Sequence, residues 1–267
     1  MNGKASSGRI IALAGKGGVG KTTITSLMAG LLRDQGFRVL AVDADPPVSL
    51  TYALGAEPVR TLGELRMRLI EDPGEKRRLR DLPMAEVIRD ELVMDVDGIS
   101  LLVLGQPEAA GCFCGINELL KYGVESLVKS YDAALIDCEA GLEQINRRAI
   151  SCLDTLVMIS DPTLKGVRTA VHLRNIAARH GVMGSYRAGL VFNRVGPDLE
   201  DLEKAARDQG LDLWGRVPPD ENVTLFDRLG RPTLNLPDDS PSRIAVREIM
   251  TGLGLLNRER ARSRAAP

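Results

Sequence analysis

The sequence of 267 residues predicts a single doubly wound α/β domain, a mostly parallel sheet with helices on both faces. Three observations predict it. Apolar runs of five to seven residues recur along the chain, each followed by a longer stretch with helical spacing. Several runs are apolar almost throughout, as strands covered on two faces must be. A glycine-rich turn follows the first run and opens the first helix.

Strands are expected at Arg9–Ala14, Arg38–Asp43, Ser100–Leu104, Ala133–Asp137, Thr155–Ser160, Ala188–Phe192 and Leu213–Val217. A helix from Thr22 to Gln35 sets Ile24, Leu27, Met28, Leu31 and Leu32 on one buried face and stops before Gly36. Residues 61–94 interrupt the alternation. There Thr61-Leu62-Gly63-Glu64 has the form of a capping box, and Glu75-Lys76-Arg77-Arg78 begins a stretch crowded with both signs of charge. A solvated helical insertion is expected rather than a specific partner surface. The main domain is expected over residues 1–257. A flexible tail follows over 258–267, with four Arg and one Glu.

Composition removes several functions. With 35 Lys+Arg against 36 Asp+Glu, the chain lacks the basic excess that drives non-specific nucleic-acid binding. Four Phe, four Tyr and one Trp give little surface for stacking bases. No apolar run approaches the roughly 20 residues that cross a bilayer, and the stretch Met1–Arg9 is polar. A cytoplasmic protein with neither nucleic acid nor membrane as partner is expected. Four cysteines are too few for a disulfide scaffold.

The glycine-rich turn reads Gly15-Lys16-Gly17-Gly18-Val19-Gly20-Lys21-Thr22-Thr23, a G-x-x-x-x-G-K-T phosphate loop between a strand and a helix. Its glycines let the backbone curl so that successive N–H groups meet phosphate oxygens at the positive end of the helix. Lys21 supplies a point charge for the β and γ phosphates, the Thr22 hydroxyl is placed for Mg²⁺, and Thr23 lies near the α-phosphate. Asp43-Ala44-Asp45-Pro46 delivers two carboxylates at the C-terminal edge of the sheet, where an open α/β fold collects ligands. The run Ala133–Asp137 has the form of a Walker B strand, with Asp137 holding the magnesium shell through a water. ATP or ADP and Mg²⁺ are the expected cofactors.

A second constellation is Gly111-Cys112-Phe113-Cys114-Gly115. Two thiols so spaced suit a soft metal. A closed thiolate site usually takes four sulfurs, so this spacing suggests that a second copy of the chain completes it. The same spacing also suits two small buried apolar residues. Cys138 and Cys152 are read as packing residues, and His172 and His180 as surface or core residues of one helix.

The form K-G-G-x-G-K-T-T, with Lys16 as its extra lysine, resembles the deviant phosphate loop of the nitrogenase iron protein, MinD and ParA group of P-loop ATPases. That resemblance implies a nucleotide-gated homodimer in which Lys16 reaches the nucleotide of the opposite subunit. It also implies that Asp45 orients or deprotonates the attacking water and that Asp43 joins the magnesium network. Gly141, in Asp137-Cys138-Glu139-Ala140-Gly141, would turn its N–H onto the γ-phosphate, and Asn193, Pro219 and Asp220 would recognise adenine. Ser49 stands where relatives often carry Asn or Asp.

Phosphate loop, D-x-D-P, G-C-x-C and Glu139-Ala140-Gly141-Leu142-Glu143, in this order, look like the CooC-type nickel-insertion ATPases that serve carbon monoxide dehydrogenase. The resemblance runs from Arg9 to about Leu256. It implies that Cys112 and Cys114 of two subunits hold Ni²⁺ or Zn²⁺, with carbon monoxide dehydrogenase or a related nickel enzyme as client. Two alternatives are a positioning ATPase of the MinD/ParA type and an iron–sulfur carrier of the nitrogenase iron protein type. The second expects a further cluster cysteine beyond the Walker B strand, where Leu142-Glu143-Gln144-Ile145-Asn146 has none.

Overall fold

The computed structural model describes residues 8–57, 60–106, 114–139, 153–179 and 186–256. Among them, strands β1 (Arg9–Gly15), β2 (Val39–Ala44), β3 (Met94–Val96), β4 (Ile99–Val103), β5 (Ala133–Cys138), β6 (Thr155–Ser160), β7 (Arg187–Asn193) and β8 (Leu213–Val217) form one sheet in the order β3-β4-β2-β5-β1-β6-β7-β8. All pairings are parallel except β3 with β4. The predicted fold class is the one found, and each expected strand is present. The short edge strand β3 was not expected.

Helices α1 (Lys21–Asp34), α2 (Ser49–Leu54), α3 (Leu62–Glu71), α4 (Pro73–Leu79), α5 (Met84–Leu92), α6 (Cys114–Leu127), α7 (Leu164–Arg179), α8 (Glu200–Asp208), α9 (Glu221–Leu229) and α10 (Pro241–Gly252) cover both faces. Strand alternation divides the core. Ile10, Ala12 and Ala14 of β1 face the side built with α3, α5, α6 and α7, whereas Ile11 and Leu13 face the side of α1, α2 and α10. No helix among the described residues is long and apolar enough to cross a membrane.

The charged stretch from residue 61 differs from its expectation. Its capping box is real: Glu64 N donates to Thr61 Oγ1 at 3.1 Å and Thr61 N donates to Glu64 Oε2 at 2.9 Å. Yet Leu62, Leu65, Leu79, Val87, Ile88 and Leu92 are buried in the sheet's core. Burying each such side chain contributes about 1.5–3 kcal/mol, against about 0–1 kcal/mol for an exposed ion pair. Packing therefore outweighs the outer ladder in which Arg68 and Arg78 pair with Glu75 and Glu91. The stretch is amphipathic and packed, and only its outer face is solvated.

Candidate functional site

The phosphate loop leaves β1 at Gly15, where a Cβ would lie 2.2 Å from the Ile159 carbonyl oxygen of β6, so only glycine fits. Gly18 and Gly20 adopt left-handed φ values of 78° and 90°, and Gly20 caps α1. Lys21 is buried at the first position of α1, its Nζ donating to the Lys16 carbonyl at 3.2 Å. A cavity of about 600 Å³ opens beside these groups, lined by Gly17, Gly18, Lys21, Thr22, Asp45 and Arg194 among others.

Sheet order sets the acidic side. β5 lies between β2 and β1, and the register places Asp43 opposite Asp137. Thr22 Oγ1 donates to Asp137 Oδ2 at 2.6 Å. Asp43 Oδ2 accepts from Thr51 N and Thr51 Oγ1, each at 2.8 Å. Burial pushes the Asp43 carboxyl up to about 6 despite those donors. It pushes Asp137 up to about 7, outweighing the Thr22 hydroxyl, with the Asp43 charge adding to the effect. Burial also raises Asp45, and the Lys21 ammonium opposes it.

Asp137 Oδ1 is buried and has no hydrogen-bond partner among the described residues. An orphaned carboxylate oxygen beside a hydroxyl and a second buried carboxylate fits a hard dication with oxygen ligands, which would supply the missing positive charge. The residues present therefore fit Mg²⁺.

Asn193 and Pro219 lie on a smaller pocket of about 130 Å³, together with Pro218, Asp220 and Val223. The Asp220 carboxylate is fully engaged there: it caps α9 through Asn222 N and accepts from Ser240 and Ser242. Lys16 Nζ lies 3.5 Å from Asp161 Oδ2 in the same chain. Cys112, Gly141, Cys152, His180 and the tail 258–267 lie outside the described residues, and Cys114 opens α6. Cys138 ends β5, and burial pushes its thiol up to about 12. His172 is exposed on α7. Among the described residues, no group of three or more His, Cys, Asp or Glu is placed to hold a metal ion. Sequence reasoning missed Thr51, Asp161 and Arg194. None belongs to a motif; Thr51 meets Asp43 eight residues away, and only the fold brings Asp161 and Arg194 to the loop.

A glycine loop with a buried lysine and a threonine bonded to the aspartate of a neighbouring strand defines a P-loop nucleotide-binding protein. Residues 10–232 match the CobQ/CobB/MinD/ParA nucleotide binding domain, and the chain belongs to this family of P-loop ATPases. An uncharacterized ATP-binding protein of Methanocaldococcus jannaschii is 34% identical over 244 residues, covering 90% of this chain and 96% of that one. The carbon monoxide dehydrogenase accessory protein CooC of Rhodospirillum rubrum is 31% identical over 234 residues, covering 82% and 87%. Among solved structures, the septum site-determining protein MinD of Pyrococcus horikoshii OT3, complexed with Mg-ADP, superposes with a TM-score of 0.68 at 23% identity, covering 94% of this chain and 98% of that one. This last likeness is one of fold.

Proposed function

We propose that the chain is a Mg²⁺-dependent ATPase that works as a homodimer and uses ATP turnover to control a soft metal carried between two copies. The 2.6 Å bond between Thr22 and Asp137 beside the glycine loop carries the ATPase part of this reading. The backbone from Gly15 to Thr23 cradles the phosphates and Lys21 balances their charge. Thr22, Asp137 and Asp43 would hold Mg²⁺, which would offset negative charge on the phosphates. Asp45 orients the water and takes its proton as the water oxygen bonds to the γ-phosphorus. The bond from that phosphorus to the ADP oxygen breaks, releasing ADP and phosphate. Lys16 reaches the partner's nucleotide, Gly141 contacts the γ-phosphate, and Asn193, Pro219 and Asp220 border the adenine.

The cargo part is supported by Cys112-Phe113-Cys114 and by the 31% identity to the carbon monoxide dehydrogenase accessory protein. Two such pairs make a four-thiolate site for Ni²⁺ or Zn²⁺, with carbon monoxide dehydrogenase or a related nickel enzyme as client. A difference of about 1–3 kcal/mol in metal affinity between the two nucleotide states gives about 5- to 150-fold regulation.

Metal titration of the full chain with and without ATP tests both parts. Lys21→Ala should abolish turnover. Cys112→Ala with Cys114→Ala should abolish stoichiometric metal uptake while leaving ATP binding intact. Undiminished uptake by the double variant rejects the cargo site, and full turnover by Lys21→Ala rejects the phosphate loop as the site of hydrolysis. ATP-dependent sedimentation with anionic vesicles would instead favour a positioning ATPase.

A further inference from the structure

The end of β7 grips two carbonyls of the phosphate loop at once. Asn193 Nδ2 donates to the Val19 carbonyl at 2.8 Å, and Arg194 Nη1 donates to the Gly18 carbonyl at 3.2 Å. Successive residues of a strand point to opposite faces, so an ordinary strand end would send these side chains apart. Arg194 breaks the alternation with a left-handed φ of 58°, uncommon for a residue other than glycine. The chain then rejoins the sheet, with Val195 N donating to the Val217 carbonyl at 3.1 Å. Arg194 N donates to Asn193 Oδ1 at 3.0 Å, which orients the amide so that its NH₂ group meets Val19.

In a trans peptide unit the carbonyl of one residue and the N–H of the next point in opposite directions. Holding the Gly18 carbonyl therefore directs the Val19 N–H away from Arg194, and holding the Val19 carbonyl does the same for the Gly20 N–H. The glycine pattern agrees, because a Cβ on Gly20 would lie 2.3 Å from Asn193 Nδ2. Gly20 is thus required by the grip of Asn193 as well as by its own φ.

We propose that Asn193 and Arg194 are positioning residues that fix the 18–19 and 19–20 peptide planes, so that the loop presents its N–H groups to phosphate before any ligand arrives. This rests on the nucleotide reading given above and deepens it.

The test is calorimetric titration of the full-length protein with magnesium tripolyphosphate, Mg-ATP and adenosine. Arg194→Ala should weaken tripolyphosphate and ATP by a common factor of about 10–150, the size expected for one charge-assisted hydrogen bond, while adenosine affinity stays unchanged. Arg194→Lys, whose ammonium can still donate to Gly18, should recover most of the loss. Circular dichroism of the ligand-free variants checks that both are folded. Unchanged tripolyphosphate affinity in folded Arg194→Ala overturns the proposal. A loss confined to adenosine also overturns it, since Arg194 would then act on the base. Failure of the wild-type chain to bind either phosphate ligand would instead remove the nucleotide reading, and the clamp with it.

Discussion

Thr22 Oγ1 and Asp137 Oδ2 lie 2.6 Å apart, joining the first turn of α1 to the end of β5, while the other oxygen of the same carboxylate is buried without a partner among the described residues. Without a cation that carboxylate is costly, as its upward shift to about 7 by burial shows. Asp137→Asn removes the charge and keeps a group able to accept from Thr22. The ligand-free variant should therefore melt no lower than the wild type. A ligand at 100 times its Kd adds about 2.7 kcal/mol, and a chain of this size gains about 2–4 °C per kcal/mol, so Mg-ATP should raise the wild-type midpoint by about 5–10 °C. The variant should lose most of that rise. Thermal scans with and without Mg-ATP check this; an equal rise in both proteins would free Asp137 from the metal role.

Thr51 is the main support of the neighbouring carboxylate, donating to Asp43 Oδ2 through both its N–H and its hydroxyl. Thr51→Val keeps the shape and the backbone donor but removes the hydroxyl from a fully buried acid. The expected cost is about 1–3 kcal/mol, with Thr51→Ser closer to the wild type. Urea unfolding at neutral pH measures it. Equal stability of the valine and serine variants would show that the backbone donor alone suffices.

Lys16 is held against Asp161 of its own chain at 3.5 Å, with both side chains partly exposed. Such a pair is worth about 0–1 kcal/mol, so it can be broken readily when a nucleotide phosphate offers a stronger anion. Asp161→Asn should release the lysine. If Lys16 acts across a dimer, ATP-dependent association followed by sedimentation should strengthen by a few fold, with monomer stability almost unchanged. Weaker association in the variant would mean that the pair orients Lys16 productively instead of restraining it.

Much of this architecture was legible in local sequence. Parallel strands buried on both faces must be apolar along their length, and runs such as Ala133–Asp137 declared themselves. The phosphate loop and the Thr61–Glu64 capping box are local devices that need no tertiary partner to be recognised. The β3–β4 hairpin is legible too: Asp97-Gly98, both at positive φ, is a two-residue turn written in the chain. Charge in the stretch from residue 61 pointed to helices in solvent and concealed the apolar face on which Leu62, Leu65, Val87 and Ile88 are buried. Arg194 and Asp161 had no local signature, because their partners Gly18 and Lys16 lie more than a hundred residues away and meet them only through the order of β1, β6 and β7.

Asp220 ties α9 to α10: its carboxylate accepts from Asn222 N at 2.9 Å, from Ser242 N at 2.9 Å, from Ser242 Oγ at 2.6 Å and from Ser240 Oγ. Burial alone would raise this acid, but the hydrogen bonds from Ser240, Ser242 and Asn222 together outweigh it and hold the carboxyl below its ordinary range. A group depressed in the folded state stabilises the fold above its unfolded pKa, about 3.9 for Asp, and that contribution is lost as pH falls through the lower folded value. Asp220→Asn cannot ionise and replaces one acceptor by a donor facing donors. Its stability deficit in urea should be full near neutral pH and should shrink as the solution is acidified below about pH 4, because only the wild type loses a charged acceptor there. A deficit that stays constant down to the acid transition would mean that the Asp220 charge contributes nothing, and that the site is held by backbone capping and packing between α9 and α10.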